Sequence, residues 1–122
     1  MQKIIIAGLL GQDAQIAKVG DNIAINFDVA VNEKYGDNET TNWYACTLWR
    51  SKNKNSIADY LTKGTGVIIE GIPDIEIWMS KEKSVPQARI KITVKDLYFT
   101  ATLYSNIVNV GDGNINIVGN IY

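Results

Sequence analysis

Residues 41–71 read TNWYACTLWRSKNKNSIADYLTKGTGVIIEG, and this stretch decides the fold. From Thr41 to Arg50 the side chains alternate. Tyr44, Cys46 and Leu48 share one face, and Trp43, Ala45, Thr47 and Trp49 share the other. A period of two over that length predicts a half-buried strand. Asn55 or Ser56 can cap a short helix with Ile57, Ala58 and Leu61 as its apolar stripe and Lys63-Gly64 as its end. A strand from Gly66 to Gly71 follows.

The flanks add strands on both sides. Gln2 to Gly11 is β-branched and apolar and closes on glycine. Ile23, Ile25, Phe27, Val29 and Val31 fall on one face of a second strand, with Ala24, Asn26, Asp28, Ala30 and Asn32 on the other. Gly36, Asp37 and Asn38 make a turn before the Thr41 strand. Beyond Gly71 come a short strand around Ile75 to Trp78 and a charged loop, Ser80 to Val85. After Pro86, Ala88, Ile90, Ile92 and Val94 alternate as an inward face with Arg89, Lys91, Thr93 and Lys95 outward. Three strands, a lone short helix, then more strands predict an all-β fold: the OB-fold, a five-stranded Greek-key barrel with its helix between strands 3 and 4. A sandwich is the alternative for many short strands, and the placement of the helix favours the barrel. Ser105 to Val110, the turn Gly111-Asp112-Gly113, and Asn114 to Ile121 predict a C-terminal β-hairpin. The expected division is a barrel domain over residues 1–104 and an extension over 105–122.

Composition removes whole classes of chemistry. The chain has 122 residues, 46% hydrophobic and 20% charged, enough for the core of one small domain. The longest apolar run, Ile4 to Leu10, is too short to span a bilayer, so no membrane role is expected and the expected location is the cytoplasm. No histidine is present, which removes the usual general base and the commonest metal ligand. Cys46 is the sole cysteine, so neither an internal disulfide nor a cysteine-based zinc site is possible, and its place in an apolar alternation predicts a buried thiol. Asp13, Asp21, Asp74 and Glu76 are the carboxylates a nuclease would recruit, but a two-metal site needs more than the two that share a strand face. Gly8, Gly11 and Gly20 form no phosphate loop, because no helix follows them. No catalytic residue, metal or cofactor is expected.

Net charge is −1, yet it is unevenly spread: residues 50–63 carry +3 and residues 80–95 carry +4, between acidic blocks. A polyanion responds to such local potential rather than to net charge. Trp43, Trp49 and Trp78 all fall on strand faces where polar residues belong, and Tyr35 ends the second strand. Six residues of extended chain put Trp43 and Trp49 roughly 20 Å apart. The plainer reading of exposed aromatics is a protein–protein interface. The sharper one is a stacking platform for nucleic-acid bases, since every base has a π face. Arg50, Lys52 and Lys54 follow Trp49, Lys81 and Lys83 follow Trp78, and Arg89 and Lys91 lie on an outward face. Cations interleaved with aromatics fit phosphate contacts beside stacked bases.

Taken in order, these segments resemble the bacterial single-stranded DNA-binding protein family. Lys3 to Asp13, with Gly8-Leu9-Leu10-Gly11-Gln12-Asp13, is similar to the family's first strand and its Gly-x-Leu-Gly-x-Asp turn. Asn26 to Glu33 resembles the second strand, and Thr41 to Tyr44 with Leu48 to Arg50 the third. Ile57 to Gly64 and Val67 to Gly71 resemble the helix and the fourth strand. The likeness covers about residues 1–99. It implies base stacking by Tyr35, Trp43, Trp49 and Trp78, no enzymatic activity, and coating of single strands in replication, recombination and repair. It also implies a homo-oligomer, a homotetramer favoured over a dimer. Two departures stand out. Pro73, Asp74 and Glu76 lie where the family carries basic residues, and Gly119-Asn120-Ile121-Tyr122 lies where it carries an acidic tip that recruits partner proteins. Recruitment through such a tip is not expected. The alternative reading is an OB-fold assembly or adaptor module whose aromatics bind protein.

Overall fold

The computed structural model describes residues 1–82, 84–101 and 116–120. Strands β1 (Ile4–Leu10), β2 (Gln15–Val19), β3 (Asn22–Tyr35) and β4 (Asn38–Ser51) precede a 3-10 helix at Ser56–Tyr60. Strands β5 (Gly66–Met79), β6 (Pro86–Ala101) and β7 (Asn116–Asn120) follow. The fold is all-β, as expected. The ladders run β1-β5-β6-β4-β3, and β3 returns to β1 through Leu9↔Ala30 and Leu10↔Val29. Five strands thus form a closed hydrogen-bonded circuit, antiparallel except where Tyr44–Thr47 of β4 meets Ile90–Thr93 of β6 in parallel. Closure removes the free edges of the circuit itself, leaving edges at β2 and at the part of β5 past Gly71.

The alternation of β3 supplies the core. Ile23, Ile25, Phe27 and Val29 are buried, with Cys46 and Leu48 of β4 against them. Ile57 and Leu61, both fully buried, bring the helical segment into the same cluster. Leu61 N–H donates to the Ala58 carbonyl, and Gly64, at a φ of +86°, ends the segment where the sequence predicts. The helix is a single 3-10 turn rather than a longer α-helix. Two glycines permit close approaches of neighbouring backbone. A side chain at Gly8 would strike the Ala30 carbonyl where β1 crosses to β3, and one at Gly71 would strike the Thr93 carbonyl.

Four features differ from the sequence reading. Strand β2 has no counterpart there: all five of its residues are exposed, so it carries no burial pattern, and it is held only by pairing with β3. The two segments expected at Gly66–Gly71 and Ile75–Trp78 are one strand, β5. Its ladder with β1 ends at Gly71, so the following residues form an edge, where Pro73 is tolerated. Lys95 is the extra residue of a bulge, with Gly71 facing Val94 and Glu70 facing Asp96. The inward series therefore jumps from Val94 to Leu97. Finally, Ala88 and Ile90 are exposed rather than inward: Ile90 stands on the last rung of the β4–β6 ladder, opposite Tyr44, and Ala88 lies on the β5–β6 ribbon beyond it. The first arm of the expected C-terminal hairpin, residues 105–110, lies outside the described residues. Its second arm contains β7, which pairs in parallel with β6 from Tyr98↔Asn116 onward.

Candidate nucleic-acid interface

Strand register collects the candidate residues. On the outer face of β4 stand Trp43, Ala45, Thr47 and Trp49, paired with Ala30, Asp28, Asn26 and Ala24 of β3. Across the parallel ladder Ala45 meets Lys91 and Thr47 meets Thr93, so Arg89 falls on the same face. From β6 the register continues to β5, with Asp74 opposite Lys91, Glu76 opposite Arg89 and Trp78 opposite Gln87. One sheet face therefore carries Trp43, Trp49, Trp78, Arg89 and Lys91. Strand spacing puts Trp78 about 12 Å from Trp43, two strands across and two residues along. The three indoles are 54%, 48% and 41% exposed. Sequence alternation is what holds them out, since the neighbouring positions Tyr44, Cys46 and Leu48 belong to the core side.

Each indole has its own support. Trp43 leans on Gly11, where an added Cβ would stand 2.5 Å from Cζ3 and 2.7 Å from Cη2 of the ring. Gly11, Gln12, Asp28 and Trp43 line a shallow open cleft. The Gly11 N–H donates to the Asp28 carbonyl, which fixes that backbone beneath the ring. Nothing in the alternation of the sequence marks Gly11 as a support. Its only signal is its place at the end of an apolar strand. Trp78 is covered on one side by the Arg89 guanidinium, 5.4 Å from the ring centroid.

The cations are less evenly placed. Arg89 Nη2 and Lys91 Nζ each lie 3.1 Å from a carboxylate oxygen of Glu76. The hydrogen bond from Lys91 holds the Glu76 carboxyl below its usual value, helped by the charges of both cations and opposed by desolvation. Arg50 belongs to the core-side series of β4, opposite Ile23, and its Nε is buried with no hydrogen-bond partner. Lys52 lies 3.8 Å from Asp21 in the loop after β4, and Lys54 is exposed there. Lys81 is exposed in the β5–β6 turn, while Lys83 lies outside the described residues. Tyr35 is 71% exposed at the β3–β4 hairpin tip, but its register puts it with the Val31 and Glu33 series, away from Trp43.

The carboxylates do not converge. Asp13 accepts the Lys63 N–H at 2.9 Å, Asp21 pairs with Lys52, and Asp74 accepts the Ile75 N–H at 2.8 Å. Among the described residues no three acidic or thiol side chains form a metal-binding group. Burial pushes the Cys46 thiol up to about 12, with the Asp28 charge adding to the effect, so its sulfur is not a nucleophile near neutrality. No helix among the described residues is long and apolar enough to cross a membrane.

The model of the single-strand binding protein family matches residues 1–100, which is nearly all of the barrel just described. The chain belongs to this family. A single-stranded DNA-binding protein of Chlamydia pneumoniae is 33% identical over 96 residues, covering 77% of this chain and 58% of that protein. The chain thus spans little more than half the length of that relative. A single-stranded DNA-binding protein from Borreliella burgdorferi is 23% identical over 125 residues, covering 98% of this chain and 83% of that protein. Among solved structures, a Plasmodium falciparum family member in complex with single-stranded DNA superposes with a TM-score of 0.66 at 25% identity. That likeness covers 81% of this chain and 94% of the other. A small single-stranded DNA-binding protein from Streptomyces coelicolor shares the fold at a TM-score of 0.66 and 16% identity, covering 79% and 91% of the two chains.

Proposed function

We propose that the chain binds single-stranded DNA without reading its sequence, coating and protecting it in replication, recombination and repair. Bases stack on Trp43, Trp49 and Trp78, and Arg89, Lys91 and the Lys52–Lys54 loop meet phosphates. The observation that carries this reading is the single sheet face on which three exposed indoles surround two cations. Stacking plus charge binds any single strand, because neither the π face nor the phosphate encodes sequence. Tyr35 serves as an outlying contact at the hairpin tip. Binding needs no covalent step, no metal and no cofactor, so the protein acts as a ligand-binder rather than an enzyme. Its setting is the cytoplasm, on the nucleoid.

The binding unit is residues 1–104, and residues 105–122 serve assembly. The assembly is a homo-oligomer, a tetramer in the fullest form. Support comes from apolar side chains that the single chain leaves exposed, Ile5 and Leu9 on β1 and Ile75 and Ile77 on β5.

The test is titration with oligothymidine while tryptophan emission and oligonucleotide anisotropy are followed together. Stacking quenches the emission as anisotropy rises. No quench and no anisotropy change at low salt refutes the reading, and favours an adaptor whose aromatics bind protein.

A further inference from the structure

We propose that Glu76 is a built-in competitor for DNA: its carboxylate occupies the phosphate position between Arg89 and Lys91, and a strand binds there by exchanging a phosphate for it. The inference rests on the DNA-binding reading and adds a regulator to the same face.

Three observations carry it. First, Glu76 divides its two oxygens between two cations, Oε1 to Arg89 and Oε2 to Lys91, each at 3.1 Å. A phosphodiester also offers two non-bridging oxygens, so the two anions answer the same pair of donors. Second, the arrangement is fixed by the backbone. Glu76 stands directly opposite Arg89 in the β5–β6 ladder, and Lys91 is the diagonal neighbour opposite Asp74. Third, the same Arg89 guanidinium lies over Trp78. While Glu76 holds Arg89, one face of that indole is covered. A phosphate in the place of the carboxylate keeps Arg89 there, beside a ring whose other face is left for a base.

The charge balance follows. Glu76 offsets one of the two cations and Asp74, opposite Lys91 on the same face, offsets the other, so removing the Glu76 charge returns the counterion release of one contact. The departure of this segment from the family's basic pattern thus acts on affinity through Glu76 itself. The glutamate sits on exposed sheet, with side-chain exposures of 46% for Arg89 and Lys91 and 37% for Glu76, where an anion from solution can reach both cations.

The experiment compares wild type, Glu76→Gln, and the net-charge control Glu39→Gln at the distant hairpin end, each titrated with oligothymidine across a salt series. Glu76→Gln tightens binding at low salt by about 2- to 30-fold, the scale of two exposed ion pairs. It steepens the slope of log affinity against log salt by about 0.7, the value of one added phosphate contact on a single strand. Glu39→Gln changes neither by as much. The tightening disappears when Arg89→Gln and Lys91→Gln are already present. Thermal melting confirms that each variant is folded, and Glu76→Thr, a strong strand former, substitutes if Glu76→Gln is not. Equal affinity for wild type and Glu76→Gln, or a gain that persists without Arg89 and Lys91, overturns the competitor while leaving DNA binding intact. Failure of wild type itself to bind oligothymidine overturns the binding reading and the competitor with it.

Discussion

Replacing Gly11 with alanine moves one indole and little else. The added Cβ stands 2.5 Å from Cζ3 of Trp43, and carbon atoms in contact prefer about 3.5–4.0 Å, so the ring must retreat by about 1 Å. The colliding atoms are the far edge of an indole that is 54% exposed, so the side chain yields and the backbone does not. Folding stability should hold or rise by about 0.4–1 kcal/mol, because alanine restricts the unfolded chain. A gap of about 1 Å forfeits roughly a quarter to a half of a dispersion contact. With stacking worth about 1–3 kcal/mol per base, the expected loss is about 0.25–1.5 kcal/mol, or roughly 1.5- to 13-fold in affinity. Oligothymidine anisotropy titrations read this directly, and a double-mutant cycle with Trp43→Ala isolates the cause. In the Trp43→Ala background the Gly11 substitution should cost nothing further. An equal loss in both backgrounds would show that Gly11 acts on DNA by some route other than the ring. Gly8→Ala is the contrast: it strikes the Ala30 carbonyl and should lower the melting temperature.

Other expectations follow from the same face. Trp43→Ala, Trp49→Ala and Trp78→Ala should each weaken single-strand binding by about 1–3 kcal/mol with melting unchanged; full affinity in all three ends the stacking account. About four phosphate contacts give a salt slope near −3, and reversing the charges of Lys52 and Lys54 should weaken binding to all sequences alike, whereas a flat salt series contradicts phosphate contact. Cys46 makes stability depend on pH on the alkaline side. Its folded value is raised to about 12 against 9.0 for the free thiol. The unfolded chain therefore loses its proton first, and stability should fall by about 1.4 kcal/mol per pH unit between those values while being fully present below them. Alkylation of native protein at pH 8 that proceeds as fast as in denaturant would contradict the burial. Deleting residues 105–122 should reduce the number of subunits in solution or the melting temperature; retention of both makes the segment a tail.

What the sequence discloses follows burial closely. Ile23, Ile25, Phe27 and Val29 are legible because one face of β3 is dry and the other wet, and the same contrast exposes the three tryptophans. Strand β2 is invisible for the opposite reason: with both faces wet, Gln15 to Val19 has no period to read. Gly71 and Pro73 look like the end of a strand, yet backbone pairing to β6 carries β5 through them on an open edge. Ile90 looks inward because it alternates with Ile92, yet it stands on the last rung of the β4–β6 ladder, opposite Tyr44, where the barrel stops. At the site, residue types are legible and pairings are not. Glu76 can be seen beside basic residues, but its grip on Arg89 and Lys91 is set by a ladder between strands separated by a turn. Arg50 reads as a surface cation beside Trp49, and the parity of β4 turns it to the core side.

The parallel ladder between β4 and β6 also bears on how the protein is made. Synthesis delivers β3 and β4 early, and their hairpin can form at once around Gly36 and Asp37. The other edge of β4, at Tyr44–Thr47, has no partner until Ile90–Thr93 has been translated. Until then the nascent chain holds a long hairpin with an open edge and half a core uncovered, the kind of surface that neighbouring chains capture. The circuit cannot be completed from any fragment that stops short of Thr93, so ribosomes stalled before that codon carry no closed barrel, and closure waits for β6.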